Sequence, residues 1–253
     1  MRASLASEPG DPGKPNDDWA AASTIGVAVL LDGLSEGSSS GCRHGTGWYV
    51  RQLGRRLLSG AEDRATALDD VLARSIDEVA ALHRGDCALD HPGSPAATVA
   101  VVRQRGPGLD FLVLADTVVV FDTGAYPLVV TDQRVRGYLP AGDDLTTVVD
   151  AQQRSRNTAD GYWVAQTDPA AAGQALTGTV ADTPGALLLS DGAALAVTDF
   201  GALSWRELLD LGFGPGPAEL IAVTRELAAR DPQRVVWPRL KLHDDATAVA
   251  CHW

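Results

Sequence analysis

Short, strongly apolar runs alternate along the chain with polar turns that are rich in glycine. Residues 27–31 (VAVLL) are apolar without interruption, which predicts a strand buried on both faces because no polar position keeps one side in water. Residues 185–189 (GALLL) repeat the pattern. An aspartate and a glycine close each run, at Asp32–Gly33 and Asp191–Gly192. One such ending fits a simple turn, but two suggest a common cause.

Helical periodicity and capping residues predict several helices. Apolar residues recur at a spacing of four over 49–57 and near 3.6 over 68–80, which is typical of two amphipathic helices. Three shorter helices are predicted: one capped by Asp168, one opened by a Ser-x-x-Glu capping box at residues 204–207, and one over residues 218–229. The second is predicted to end near Gly212 and the third before Pro232.

Short β segments occupy much of the remaining chain. Residues 19–24 and 25–31 predict the first two strands. Valine and phenylalanine enrichment then predicts a meander of antiparallel strands, in ATVAVVR (97–103), DFLVLAD (110–116), TVVVFD (117–122) and PLVVTD (127–132). A last strand lies within DDATAVACHW (244–253), whereas residues 132–165 are polar and give no clear assignment.

The length and composition favour a single large domain. The chain has 253 residues, of which 45% are apolar, and this is enough for a sizeable core. Residues 1–16 are rich in proline, glycine, serine and charge, so we predict a flexible N-terminal segment there. The domain is therefore predicted to span residues 17–253.

Charge and hydropathy exclude several classes of partner. The formal net charge of -12 would repel nucleic-acid phosphates and suits a protein that holds cations. No apolar run approaches the roughly 20 residues needed to cross a bilayer, so no membrane partner is expected. The N-terminus lacks the apolar centre of a secretion signal, which favours a cytoplasmic location. The oligomeric state is not determined by these features.

Three cysteines are too few for a disulfide framework and fit a reducing compartment. Two of them have histidine neighbours: Cys42 with His44, and Cys87 with His91. Four such ligands could hold zinc, but neither spacing is a common structural zinc pattern, so ordinary loop packing is favoured. A disulfide between Cys42 and Cys87 is a third alternative.

Acidic residues cluster at the ends of the predicted strands. In a sandwich of sheets, such ends can gather although they are distant in sequence. Gathered carboxylates repel one another unless a cation neutralises them, and oxygen ligands favour Mg²⁺ or Mn²⁺. The alternative is that the Asp-Gly pairs are simply turns. The acidic positions are Asp17, Asp18, Asp32, Asp191, Asp244 and Asp245.

The order of these motifs resembles the metal-dependent protein phosphatase 2C (PPM) family, as a divergent bacterial, actinobacterial-type member. The likeness runs from about residue 14 to 253, and its strength lies in the ordered set. The motifs are NDD (16–18), the Asp32–Gly33 pair, SPAAT (94–98), LADTVVVF (114–121), VVTDQRV (129–135), LLLSDG (187–192) and DDATAVA (244–250).

The resemblance implies an α+β fold, a four-layer α-β-β-α sandwich of two mainly antiparallel sheets flanked by helices. It also implies two Mn²⁺ or Mg²⁺ ions at one end of the sheets. Asp32 would bridge the ions and the Gly33 carbonyl would bind one of them. Asp191 and Asp244 would complete the shell of the other ion, and Asp18, helped by Asp17, would hold metal-bound water.

The implied activity is that of a metal-dependent phosphomonoester hydrolase, most plausibly a phosphoserine/phosphothreonine protein phosphatase that uses a water activated by the binuclear centre. Asp32, Asp18, Asp191 and Asp244 are its predicted catalytic residues. Such a reaction needs no covalent enzyme intermediate. The chain also lacks an obvious Ser-His-Asp or activated cysteine signature.

Several positions depart from the family pattern. Lys14 stands where an arginine often grips the substrate phosphate, so it is the candidate phosphate ligand. Leu34 replaces a histidine proposed as general acid, and ADT at residues 115–117 replaces GDS. Asp245 follows Asp244 where an asparagine is usual, and with Asp17 it could support the metal ligands from behind.

These departures keep two alternatives open. The first is a weak or inactive pseudophosphatase that binds a phosphorylated partner or metabolite without turnover. The second is a phosphatase of small phosphorylated metabolites.

Overall fold

Two five-stranded antiparallel sheets form the centre of the molecule in the computed structural model, which describes residues 1–138 and 145–253. The first sheet has the order β1 (Arg2–Glu8), β10 (Ala246–His252), β9 (Gly185–Leu189), β6 (Val118–Phe121) and β7 (Leu128–Val130). The second has the order β2 (Trp19–Ser23), β3 (Val27–Gly33), β4 (Ala97–Arg105), β5 (Gly108–Leu114) and β8 (Leu176–Val180).

Helices flank the two sheets. They are α1 (Thr46–Ala61), α2 (Leu68–His83), α3 (Leu145–Ser155), α4 (Asp191–Thr198), α5 (Trp205–Phe213) and α6 (Pro217–Ala229), with 3₁₀ helices at Gln133–Tyr138 and Pro169–Gln174. No helix in the described part of the chain is both long and apolar enough to cross a membrane.

Strand β3 shows why the apolar runs have no polar alternation. Val29 and Leu31 pack in one core with residues of α1 and α2. Ala28 and Leu30 point the other way, into a core shared with the first sheet. Helices α4, α5 and α6 pack on the outer face of that sheet. The predicted four-layer α-β-β-α sandwich is therefore confirmed, and the run is buried on both faces.

The predicted meander is divided between the two sheets. Strands β4 and β5 pair in the second sheet, whereas β6 and β7 pair in the first. The chain crosses at residues 115–117, where Ala115 has a φ of 66° in the left-handed region. Each strand was predicted correctly, but a single meander is wrong because sequence periodicity does not report which sheet a hairpin joins.

The predicted helix ends agree with the structure. The capping box at Ser204 and Glu207 is formed, with both reciprocal hydrogen bonds. Asp168 caps its helix through the Ala170 N–H at 2.9 Å, and that helix is a short 3₁₀ segment. Helices α3 and α4 and strand β8 were not predicted.

The N-terminal segment differs from the prediction. Residues 2–8 form β1, which pairs with β10 from Arg2 opposite His252 to Glu8 opposite Ala246. The prediction of a flexible segment over residues 1–16 is therefore wrong for β1. This strand lies at the edge of its sheet and is mostly exposed, so it carries no apolar alternation that could reveal it.

Candidate metal centre

Aspartates from both sheets converge at one end of the sandwich. Asp32 lies near the end of β3 in the second sheet, Asp191 begins α4 directly beyond β9 of the first, and Asp244 precedes β10. Together with Gly33 they line a cavity of about 160 Å³. Residues far apart in sequence thus share one site, because the two sheets bring the ends of β3, β9 and β10 to the same edge.

The glycines of the two Asp-Gly pairs are required by close packing. A Cβ on Gly33 would lie 2.4 Å from the Asp17 carbonyl oxygen. A Cβ on Gly192 would lie 2.1 Å from the Asp245 carbonyl oxygen. Real Cβ atoms do not approach backbone that closely, so only glycine lets these segments meet. The repeated Asp-Gly ending therefore has one cause: each pair packs against another acidic stretch of the site.

Asp32 and Asp191 are directly joined. The Asp191 backbone N–H donates to Asp32 Oδ2 at 3.2 Å. Burial raises the pKa of both carboxyls well above their usual range. Next to burial, Asp191 contributes most to the raised pKa of Asp32, and Asp244 contributes most to that of Asp191. A bound cation would offset both the burial of these charges and the repulsion between the carboxylates.

Asp18 is buried behind this pair, with 9% of its surface exposed. Neither carboxylate oxygen has a hydrogen-bond partner among the described residues. Burial raises the pKa of Asp18 to about 7, and Asp245 and Asp244 add to the shift, while the hydroxyls of Thr247 and Ser190 oppose it. The two hydroxyls lie near the carboxylate without forming hydrogen bonds of normal geometry to it, so its buried charge is poorly compensated and a cation ligand fits this position.

Asp17 and Asp245 connect the N-terminal segment to the site. Asp245 accepts hydrogen bonds from the backbone N–H groups of Gly10 at 2.8 Å and Asp17 at 2.7 Å. Burial raises the pKa of Asp17 to about 6, with further increases from Asp245 and Glu36. Neither residue lines the cavity. Their positions suit the predicted role of supporting the ligands from behind.

Three further charged residues line the cavity and were not among the predicted site residues. Lys241 Nζ donates to Asp244 Oδ1 at 2.7 Å and to Ser35 Oγ at 2.9 Å. Asp116 raises the pKa of both Asp32 and Asp191, and Arg156 is buried in the cavity wall. The sequence signal for Asp116 was its motif ADT, and Lys241 lies three residues before Asp244.

Lys14, the candidate phosphate ligand, lies elsewhere. It is exposed in the segment between β1 and β2, and it does not line the cavity. Leu34 packs with Tyr162 and Val164 in a small apolar cluster, so that position presents no acid to a leaving group.

The site residues fit hard divalent cations. The anionic groups that line the cavity are four carboxylates, with the Gly33 backbone beside them, and Mg²⁺ and Mn²⁺ prefer such oxygen ligands. No imidazole or thiol lines the same cavity in the described part of the chain.

Comparisons with known proteins show the family of this chain. The family model described as protein phosphatase 2C matches residues 11–215. The chain belongs to the protein phosphatase 2C family. It is therefore a hydrolase of the metal-dependent serine/threonine phosphatase type. A comparison with curated proteins found no match.

Solved structures of protein phosphatase 2C type share the fold. The serine/threonine phosphatase PstP/Ppp of Mycobacterium tuberculosis is 17% identical, with a TM-score of 0.63 over 98% of this chain and 97% of that chain. The PstP catalytic domain in complex with two manganese ions is 17% identical, with a TM-score of 0.58 over 98% and 96%. PppA, a regulatory component of type VI secretion in Pseudomonas aeruginosa, is 16% identical, with a TM-score of 0.54 over 98% and 96%.

Proposed function

We propose that this chain is a phosphoserine/phosphothreonine phosphatase that requires two Mn²⁺ or Mg²⁺ ions. The observation that carries the proposal is the convergence of Asp32, Asp191 and Asp244 on one cavity, with the buried Asp18 close to Asp32 and Asp191. A protein gains nothing in stability from crowding buried carboxylates, so their presence is best explained by cations. A structural relative that was solved with two manganese ions supports the same proposal.

The proposed ligands are those that the cavity presents. Asp32, the Gly33 carbonyl, Asp191 and Asp244 would hold the ions. Asp18 would add a further carboxylate from its buried position next to Asp32 and Asp191. When bound, the ions would supply an acidified water and neutralise charge on the phosphoryl oxygens. The Asp191 N–H keeps Asp32 oriented toward this position through its hydrogen bond.

The cavity also offers groups that could hold the substrate phosphate. Arg156 and Lys241 are the basic residues that line it within the described part of the chain. They would orient a phosphate dianion in place of Lys14. A serine or threonine leaving oxygen would take its proton from solvent, since Leu34 offers none.

A cavity of about 160 Å³ accommodates a phosphoryl group but little more, so the remainder of a substrate would lie outside it. A phosphorylated protein is the proposed substrate, and a small phosphorylated metabolite is the alternative. The predicted cytoplasmic location agrees with either class.

The test is hydrolysis of phosphothreonine and phosphoserine peptides, an aryl phosphate and a panel of phosphorylated metabolites. We expect turnover of the peptides with Mn²⁺, and a loss of at least about a hundredfold in Asp32→Ala. Gly173→Ala is a matched control, because a Cβ there meets nothing within 4 Å. Activity that survives both Mn²⁺ removal and Asp32→Ala would refute the proposal, whereas turnover of metabolites alone would select the small-molecule alternative.

A second candidate function is a binding module without turnover. The observation that favours it is the ion pair between Lys241 and Asp244, since it engages one of the proposed metal ligands with an internal cation. Calorimetric titration with Mn²⁺ separates the two. Tight Mn²⁺ binding without hydrolysis of any phosphorylated compound would establish the pseudophosphatase.

A further inference from the structure

Two cysteines and two histidines meet away from the aspartate cavity. Cys42 and His44 lie in the loop between β3 and α1, His83 is the last residue of α2, and Cys87 lies in the following turn. Their sulfur and ring nitrogen atoms all lie within 4.8 Å of one another. Of the four predicted zinc candidates, His91 is not in this cluster, and His83 takes its place.

The interatomic distances suit a single small cation. Cys42 Sγ lies 3.5 Å from His44 Nδ1 and 3.4 Å from His83 Nδ1, and Cys87 Sγ lies 3.3 Å from His44 Nδ1. Zn–S bonds of about 2.3 Å and Zn–N bonds of about 2.0–2.1 Å place tetrahedral ligands about 3.3–3.8 Å apart. The three sulfur–nitrogen pairs are therefore already separated by the distances expected for ligands of one tetrahedral zinc ion.

The two sulfurs are 2.9 Å apart, between the length of a disulfide, about 2.05 Å, and the separation across a tetrahedral zinc. A disulfide would use the two cysteines and leave two histidine rings converging on it without a role. A zinc ion uses all four donors. The histidines therefore decide between the two chemistries.

The surroundings hold the donors in place. The Cys87 N–H donates to the His83 carbonyl at 3.0 Å, so these two residues, four apart, lie on one face of a helical turn. Trp48 stacks on His44, with ring centroids 4.5 Å apart, and its ring lies 5.2 Å from that of His83. His83 is 1% exposed. The other three donors are half-buried. A preformed cluster lowers the ordering cost of binding a metal.

The same two segments are joined by backbone contacts. The Ala88 N–H donates to the Gly41 carbonyl at 2.9 Å. His91 packs against Gly41, and its Nδ1 accepts a hydrogen bond from the Gly93 N–H at 3.0 Å. His91 therefore supports the loop without presenting a nitrogen to the cluster.

We propose that Cys42, His44, His83 and Cys87 form a structural zinc site that fastens the loop after β3 to the end of α2. Thiolate and imidazole donors select zinc over Mn²⁺ and Mg²⁺, and four protein ligands leave no open position for a substrate. Binding releases the two thiol protons to solvent. The fastened loop begins at Leu34 and Ser35, which line the aspartate cavity.

The proposal is tested by measuring zinc in protein purified under reducing conditions. We expect about one equivalent of zinc per chain, and a tetrahedral cobalt-thiolate absorption band after Co²⁺ exchange. Cys42→Ser and His83→Ala should each lose most of the zinc and the cobalt band. The matched controls His91→Ala and Cys251→Ser should keep both. Because Asp191→Asn should also keep its zinc, this result is independent of phosphatase activity.

Stability gives a second readout. A zinc chelator should lower the Tm of wild type and of Asp191→Asn, and should leave that of His83→Ala unchanged. Wild type without retained zinc and without a cobalt-thiolate band would overturn the proposal. So would a Cys42–Cys87 disulfide as the main form under reducing purification, or equal zinc content in wild type and His83→Ala.

Discussion

The Asp191 backbone N–H donates to the Asp32 carboxylate across 159 positions of sequence, at 3.2 Å. Asp32 lies near the end of β3 in one sheet and Asp191 follows β9 of the other, so this hydrogen bond joins the sheets at the edge where the carboxylates gather. It also explains why the two aspartates should respond to metal and to mutation as one unit.

Asp191 and Asp244 should show strongly non-additive effects on activity. If both complete one ion's shell, either Asp191→Asn or Asp244→Asn removes that ion. The activity of the double mutant should therefore be no more than about twofold below that of the less active single mutant. Mn²⁺-dependent hydrolysis of a phosphopeptide measures this. Multiplicative losses in the double mutant would contradict a shared ion.

Asp191→Asn should leave the metal-free protein at least as stable as wild type, because it removes one of several crowded carboxylates. It should also abolish the rise in Tm that Mn²⁺ confers by binding the folded state. Thermal melts with and without Mn²⁺ measure both effects. If Mn²⁺ still raises the Tm of Asp191→Asn as it does in wild type, and the metal-free variant is less stable than wild type, then Asp191 only forms a turn.

The Mn²⁺-free protein should lose stability as the pH rises from about 4 to 7. Burial raises the pKa of Asp17 to about 6 and that of Asp18 to about 7, from the ordinary value of 3.8 for an aspartate. The folded state therefore binds protons more tightly than the unfolded state, and this advantage disappears as the pH passes the folded pKa values.

Denaturant titrations across this pH range, after dialysis against Mn²⁺-free buffer, should show the loss. Saturating Mn²⁺ should reverse the trend, because metal binding requires ionised carboxylates. Asp18→Asn is the matched variant and should flatten the Mn²⁺-free profile. A wild-type stability independent of pH in this range would contradict the expectation.

Removal of Lys241 should strengthen Mn²⁺ binding. Lys241→Met releases Asp244 from its ion pair and removes a positive charge beside Asp32 and Asp191, so the Kd for Mn²⁺ should fall by about threefold. The KM for a phosphopeptide should rise, since a cation facing the phosphate is lost. Lys241→Arg keeps the charge and is the control. An unchanged Kd in Lys241→Met would show that the pair does not compete with metal.

Gly192→Ala should disrupt the site more than an ordinary glycine substitution. Its Cβ would lie 2.1 Å from the Asp245 carbonyl, so backbone must move, at a cost of about 2 kcal/mol or more in unfolding free energy. Gly173→Ala, which has open space, should change stability by less than about 0.5 kcal/mol. Urea denaturation and Mn²⁺ titration of both variants measure the difference. Equal behaviour of the two would contradict the packing explanation.

Ala115 offers a test of backbone conformation. Its φ of 66° is unfavourable for a residue with a Cβ, by about 1–2 kcal/mol. Ala115→Gly should therefore remain within about 1 kcal/mol of wild type, since relief of strain offsets the lost methyl contacts and the added chain entropy. Ala115→Val should cost more than about 2 kcal/mol, because β-branched residues tolerate this region poorly. Similar stabilities of the two variants would contradict the left-handed backbone conformation at Ala115.

The sequence by itself determined most of the strands, most helices and the acidic ends of the strands. Apolar runs such as residues 27–31 report burial on both faces directly, and the capping box at Ser204 is a local arrangement that needs no distant partner. The ordered motifs then indicated the family. Local chemistry was sufficient for these features, because each depends on residues only a few positions apart.

Only the tertiary structure decided how those pieces meet. Strand β1 depends on pairing with β10 at the opposite end of the chain, and the exposed edge position removes any local signal. Lys241 and Asp116 reach the cavity because the strand ends converge there. His83 replaces His91 in the cysteine cluster because the end of α2 brings His83 Nδ1 to 3.4 Å from Cys42 Sγ, 41 positions away in sequence. Each of these results is a long-range contact, and single-chain periodicity encodes no such distance.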